Sequence, residues 1–306
     1  MAAVKGDARA VERIRARTAL TARAGAVAAW LAVGVLALLG DLIHSALRSD
    51  DAAAHTTVTV AMWLAYALVL AALLLPGPRA LTVARIGVPA GTLELALAAA
   101  ASSDPAAVIG NLACLVGTLV VFHPFYGEAQ VDAAGYGDER RFLLRPPAPV
   151  LVALAVPMWA IAVTGVAAGP LLLTDRGWAA GTAAAAVGLP AAAFAAHTLY
   201  RLARRWLVFV PNGLVLHDHL AVAEPLPLGR RGIDSIGPAR ADTDAVDLTA
   251  QAFGMALELR LSEPVEGGVM TGRNRSEERS LTALLVSPSR PAAVLATAER
   301  RGLRVA

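Results

Sequence analysis

Six apolar runs fill most of the first 200 positions, at about 25–47, 58–75, 86–101, 106–125, 150–173 and 178–199. Each is close to the ~20 residues that a helix needs to cross the hydrocarbon of a bilayer. Beyond Arg205 the period changes, and short stretches with every second residue apolar replace the long runs. In Met255–Leu261, for example, Leu257, Leu259 and Leu261 face one way and Glu258 and Arg260 the other. The pattern predicts a membrane α-helical bundle of about six transmembrane helices, followed by a small cytosolic β-rich domain with a C-terminal helix.

Charge beside the runs sets the orientation. Residues 1–23 hold Lys5 and five arginines against Asp7 and Glu12, which marks a basic cytoplasmic N-terminal segment by the positive-inside rule. This segment reads as a solvated tail, with a short surface helix through Arg13 and Arg17 as the alternative. Four spans occupy 24–125, with Arg48-Ser-Asp-Asp51 suiting the outside and Arg79 and Arg85 the inside. The third run contains Pro89, Gly91 and Glu94, so it reads either as a span or as a broken, re-entrant helix. A cytoplasmic loop, 126–149, brings Arg140, Arg141 and Arg145 up to the next span. Two more spans fill 150–200, with Pro157 and Gly165 as expected kink sites, and 201–306 is the cytosolic domain. Both termini then lie in the cytoplasm of a multi-pass protein of the cell membrane.

Composition narrows the classes further. A chain that is 57% hydrophobic and 17% charged is not an ordinary soluble domain. Lys5 is the sole lysine in an Ala-rich, Arg-rich sequence, as coding from a high-GC genome produces, so the arginines are not read as a nucleic-acid footprint and no nucleic-acid partner is expected. Cys114 is the one cysteine, which rules out an intrachain disulfide and a cysteine metal cluster. Abundant Ala and Gly in the spans favour close helix packing over an open pore.

In the polar third, Trp206–Val210, the turn Pro211-Asn-Gly213 and Leu214–His217 read as a hairpin. Ser280–Val286 is a further strand, and the polar, Gly-containing stretch Gly267–Glu278 reads as an exposed loop. Ser289-Arg-Pro291 offers an N-cap to a helix that Gly302 stops. Arg205-Trp-Leu-Val-Phe-Val-Pro-Asn-Gly-Leu-Val-Leu-His, then Pro227-Leu-Gly-Arg-Arg-Gly-Ile-Asp-Ser-Ile, then the Ala-rich closing helix resemble the bacterial pleckstrin-homology-like (PH-like) domains of actinobacterial membrane proteins. The resemblance covers about the last third of the chain. It implies a curved antiparallel sheet capped by the helix, with a binding or assembly role, no enzymatic activity and no cofactor. The turn Pro211-Asn-Gly213 has no Lys or Arg to clamp phosphates, so inositol-lipid recognition is not implied.

Candidate chemistry is sparse. Glu94 and Asn111 fall at similar depth in adjacent spans and are expected to pair, either as a structural contact or as the relay of a small ion-coupled transporter, the alternative to a scaffold. Asp41, His44 and Arg48 share a helix face near the outer end of the first span and read as an interfacial polar cluster. Arg201, Arg204, Arg205, Arg230 and Arg231 are the expected lipid head-group contacts. His217 and His219 have metal-ligand spacing without a third ligand, and His123 and His197 stand alone, so no metal is assigned. The expected partners are the bilayer and a membrane or cytosolic protein.

Overall fold

Long runs rich in Ala and Leu favour helices, and in an apolar solvent a helix satisfies its backbone hydrogen bonds within itself. The computed structural model describes residues 2–39, 52–102, 105–174, 177–272 and 275–306. Among the described residues, six helices are long and apolar enough to cross a membrane, as in a multi-pass membrane protein. They lie within α1 (Ala2–Leu39), α2 (Ala52–Leu74), α3 (Pro78–Ser102), α4 (Pro105–Phe122), α6 (Val156–Thr174, with the turns that lead into it) and α7 (Trp178–Leu202). A short helix, α5 (Pro124–Asp132), follows α4. The chain forms two compact units, a helical one of residues 13–130 and 155–200 and a β-rich one of residues 1–12, 131–154 and 201–306.

The pattern-based expectation is refined at three places. The N-terminal segment is helical from Ala2 and continues into the first span without a break. The third run is one continuous helix through Pro89, so the re-entrant alternative is not adopted. The fifth span opens with a helical turn at Ala148–Val150 and a π-helical stretch, Leu151–Ala155. Pro157 has no N–H to offer the carbonyl four residues earlier, and the wider turns sit just before it.

Within the helical unit, several polar side chains bond to backbone carbonyls or to one another. The Trp30 indole donates to the Tyr66 carbonyl and the Tyr66 hydroxyl to the Trp30 carbonyl, both at 3.1 Å, with the rings stacked. The Thr92 and Thr118 hydroxyls meet at 2.9 Å across α3 and α4, and the Trp159 indole donates to the Ile86 carbonyl at 3.1 Å. Helices α6 and α7 touch backbone to backbone. A Cβ on Gly188 would stand 2.5 Å from the Gly165 carbonyl oxygen, and one on Gly169 would stand 2.9 Å from the Ala185 Cβ. Small residues at four-residue spacing permit that approach, as the composition led one to expect.

The β-rich unit holds two four-stranded sheets. The first runs β1 (Arg140–Leu143), β2 (Trp206–Val210), β3 (Gly213–His217), β4 (Leu226–Gly229), all antiparallel. The second has the order β5 (Ile233–Pro238), β7 (Leu257–Gly272), β8 (Arg275–Val286), β6 (Val246–Asp247), and helix α8 (Pro291–Arg300) follows. Residues read as a plain loop thus supply the edge strand β1, and its inward Phe142 packs edge-to-face on Phe209 in the core. Beyond β1, Arg145 N–H donates to the Ser287 carbonyl and Ser289 N–H to the Leu143 carbonyl, both at 2.8 Å, which joins the sheets along one side. On the other side, Ala223 N–H donates to Gly268 and Met270 N–H to Ala221. Val294 and Ala298 of α8 close the core formed by Leu207, Leu214, Leu216, Leu257, Leu259 and Leu284.

The hairpin from Trp206 to His217 forms as expected, and Gly213 is required there: its φ is +152° and a Cβ would stand 2.1 Å from the Leu228 carbonyl oxygen. The stretch expected to be an exposed loop, Gly267–Glu278, is instead largely strand. Two of its glycines are there for closeness, since Gly267 packs on Leu226 and Leu281 and Gly268 on Ala223. Ser289 does not cap α8; the N-cap residue is Arg290, with no side-chain bond. Gly302 does end the helix, with φ +71° and Leu303 N–H on the Ala298 carbonyl.

Candidate functional site

The polar residues that sequence singled out end in different places. Arg205, expected at lipid head groups, is 1% exposed and belongs to a buried ion pair. Its Nε and Nη2 donate to the two carboxylate oxygens of Asp218 at 2.7 Å each, and Nη1 donates to the Arg145 carbonyl at 2.8 Å. Asp218 also accepts from Leu220 N–H at 3.1 Å. A guanidinium with three acceptors in place is a stable way to bury a charge, and it ties β2, the end of β3 and the segment after β1 into one node.

Around that node a stack forms. The Trp206 ring lies over His217 with 5.1 Å between centroids and 17° between planes, and the Arg141 guanidinium sits 5.5 Å from the Trp206 centroid. The direct cross-strand pairing of Trp206 with His217 makes this possible. Burial, reinforced by Arg204, holds the His217 imidazole below its usual range; burial and Arg201 push His219 down to about 4. Both are therefore neutral near pH 7. The carboxylate between them is fully engaged by Arg205, and among the described residues no cluster of His, Cys, Asp or Glu is arranged to hold a metal ion.

Arg201 and Arg204 are exposed where α7 ends, and Arg230 and Arg231 are exposed on the turn after β4. They do not form one patch. Arg230 N–H bonds the Asn212 carbonyl at the far end of the β2–β3 hairpin, about 16 Å from Trp206 at ~3.3 Å per residue. The five expected head-group arginines thus divide into an exposed pair at the chain's junction with α7, a buried structural residue and an exposed pair at the opposite end.

In the helical unit, Gly91 packs on Cys114 and Gly110 on Leu95, which sets Glu94 and Asn111 at similar levels of adjacent helices. The expected pair does not form. Glu94 lies on an exposed part of α3, and the Asn111 Oδ1 is buried without a hydrogen-bond partner. His123 stacks on Phe125, and His197 makes a tilted ring contact with Tyr200. Asp41, His44 and Arg48 lie outside the described residues, as does Arg273.

A polar cluster that sequence reading missed sits at the α4–α5 end of the helical unit. Tyr126, Glu128 and Gln130 of α5 are all buried. Gln130 Nε2 donates to the Tyr126 hydroxyl and Gly77 N–H donates to Gln130 Oε1, both at 3.0 Å. Arg23 donates to the Leu73 carbonyl at 3.0 Å and Arg85 to the Val121 carbonyl at 3.1 Å. Burial pushes the Tyr126 phenol up, opposed by the Gln130 bond and by Arg23 and Arg85. A cavity of about 160 Å³ lies against Arg23, Pro76, Tyr126 and Gln130. It has room for a few waters but is smaller than the ~300 Å³ at which small-molecule pockets begin. The i, i+4 spacing of Tyr126 and Gln130 was the available signal, hidden because the segment reads as loop.

No family model, no curated protein and no solved structure matches the chain.

Proposed function

We propose that the chain is a non-enzymatic integral membrane protein of the cell membrane, with both termini in the cytoplasm, whose helices hold a PH-like domain as a module for protein or lipid contact. Two sheets closed by a C-terminal helix support the PH-like assignment. One observation carries the functional reading: two of the connections between the β-rich unit and the helices are very short. Leu144–Pro147 separate β1 from the first turn of the fifth span, and Ala203–Arg205 separate α7 from β2. A module meant to search at a distance hangs from one long flexible linker, and these two short connections are not of that kind.

The transporter alternative draws no support from the polar residues it needs, since Glu94 and Asn111 do not bond. Affinity capture from cross-linked native membranes tests the module reading. A partner that is reproducibly lost when residues 140–145 and 206–306 are removed supports it, and capture that is unchanged by the removal refutes it. A cysteine added at Ala306 in a Cys114→Ala background, labelled by an impermeant maleimide only after permeabilisation, checks the orientation.

A further inference from the structure

The loop between β6 and β7 contributes no side chain to the buried ion pair. Residues 248–256 read Leu-Thr-Ala-Gln-Ala-Phe-Gly-Met-Ala, without a single charge. Phe253 is 79% exposed and Met255 54% exposed. Isolated exposed hydrophobics are ordinary on a protein surface, so exposure alone decides nothing. Location decides it. Arg145 Nη1 donates to the Phe253 carbonyl at 3.0 Å, and Gly254, at φ +100°, lies so close that a Cβ would collide with the same guanidinium. The Arg145 carbonyl is in turn held by Arg205. The loop is therefore docked on Arg145, where the chain leaves for the fifth span.

We propose that this loop inserts Phe253 and Met255 into the head-group layer of the bilayer and anchors the β-rich unit to lipid. The proposal rests on the membrane-spanning reading of the helices. Arg145 precedes Ala148 by three residues, so their Cα atoms are at most about 11 Å apart. The apolar segment Ala148–Leu173 has 26 residues. At 1.5 Å per residue it is about 39 Å long, more than the ~30 Å of hydrocarbon and close to the 40–45 Å of a bilayer with its head groups. Its first turn therefore belongs to the head-group layer, and Arg145 and the loop it holds stand at the edge of that layer. Arg201 and Arg204, exposed at the α7 junction, supply positive charge for anionic head groups.

The loop is also held in shape. Ala250 and Gln251 both adopt left-handed conformations, at φ +53° and +63°, which non-glycine residues rarely take. Asp247 fixes the near side through Thr249 N–H and Oγ1, and Ala239 N–H fixes the far side through the Ala256 carbonyl. Strain of this kind persists where surrounding contacts impose it.

Fluorescence quenching of the full chain in phosphatidylcholine–phosphatidylglycerol vesicles tests the anchor. Phe253→Cys, Leu64→Cys and Glu278→Cys, each in a Cys114→Ala background, are labelled with an environment-sensitive fluorophore. Leu64 is exposed in the middle of the second span, and Glu278 pairs with Gly268 on the distant part of the β7–β8 hairpin. The expected result is that lipids bearing a nitroxide near the head group quench the Phe253 probe, while aqueous iodide quenches it several-fold less than the Glu278 probe. Iodide reaching both probes equally overturns the proposal. So does protection from iodide without nitroxide quenching, which is the signature of a protein cover. Lipid-buried nitroxides that fail to quench the Leu64 probe overturn the spanning reading and the anchor with it, whereas a quenched Leu64 probe beside an unquenched Phe253 probe overturns the anchor alone.

Discussion

Replacing Asp218 by Asn removes one of two charges that are buried almost completely, with side-chain exposures of 1% for Arg205 and 0% for Asp218. The amide keeps one acceptor and turns the other into a donor that faces a guanidinium N–H. Arg205 then retains its bond to the Arg145 carbonyl but holds an uncompensated positive charge in the interior. Removing one partner of a buried pair costs about 3–5 kcal/mol, against the ~5–15 kcal/mol that holds a whole domain folded. With a urea m-value of about 2 kcal/mol/M, the unfolding midpoint of the β-rich unit falls by about 1.5–2.5 M. Pulse proteolysis of the full chain in detergent, reading cleavage within residues 201–306 across a urea series, measures this midpoint while the helical unit stays in its micelle. The exposed pair of Arg240 and Asp242 supplies the control: both side chains are over 70% exposed, and Asp242→Asn is expected to leave the midpoint where it was. A shift for Asp218→Asn as small as that of the control refutes the idea that the buried node holds the unit together.

Three further outcomes follow from the geometry. His219 is neutral in the fold with its pKa near 4, while the unfolded chain protonates near 6.5; stability is therefore level above pH 6.5 and falls as pH drops toward 4. Urea midpoints at neutral and mildly acid pH measure the slope, and His219→Gln flattens it; an unchanged slope in that variant contradicts the assignment. Gly188→Leu cannot fit against the Gly165 carbonyl, so α6 and α7 must separate at a cost of about 2 kcal/mol or more, seen as early aggregation when detergent extracts are heated, whereas Gly25→Leu, with open space around it, changes nothing. A fragment of residues 201–306 lacks β1 and the Phe142 side chain that fills the core, so it gives no cooperative urea transition until residues 136–147 are supplied through a linker; a cooperative transition in the bare fragment shows that β1 is dispensable.

Much of the architecture was legible because it follows from short-range rules. Apolar runs of span length announce membrane helices, Asn212-Gly213 announces a hairpin, and Gly302 announces a helix end. The misses share one cause, which is that the partner lies far away in sequence. Arg140–Leu143 is too short and too charged to read as a strand, yet it becomes one because β2, more than sixty residues later, presents an open edge. The polar stretch after Gly267 reads as loop because its neighbours at Ala221–Ala223 are invisible from within it.

The candidate site shows the same division. Sequence by itself determined that six segments belong in lipid, that a β-rich part follows them, and which residues carry charge near the junction at 200–210. It did not determine what those charges do. Arg201, Arg204 and Arg205 look alike in a basic collar, and the fold makes two of them surface residues and the third the buried partner of Asp218. Phe253 reads as one more apolar residue in a Gly-containing loop, and its place beside Arg145 exists only after the strands are registered. Periodicity and composition act over a few residues and so survive in the linear chain; burial, pairing and electrostatic environment depend on which distant segments meet, and only the tertiary structure decides that.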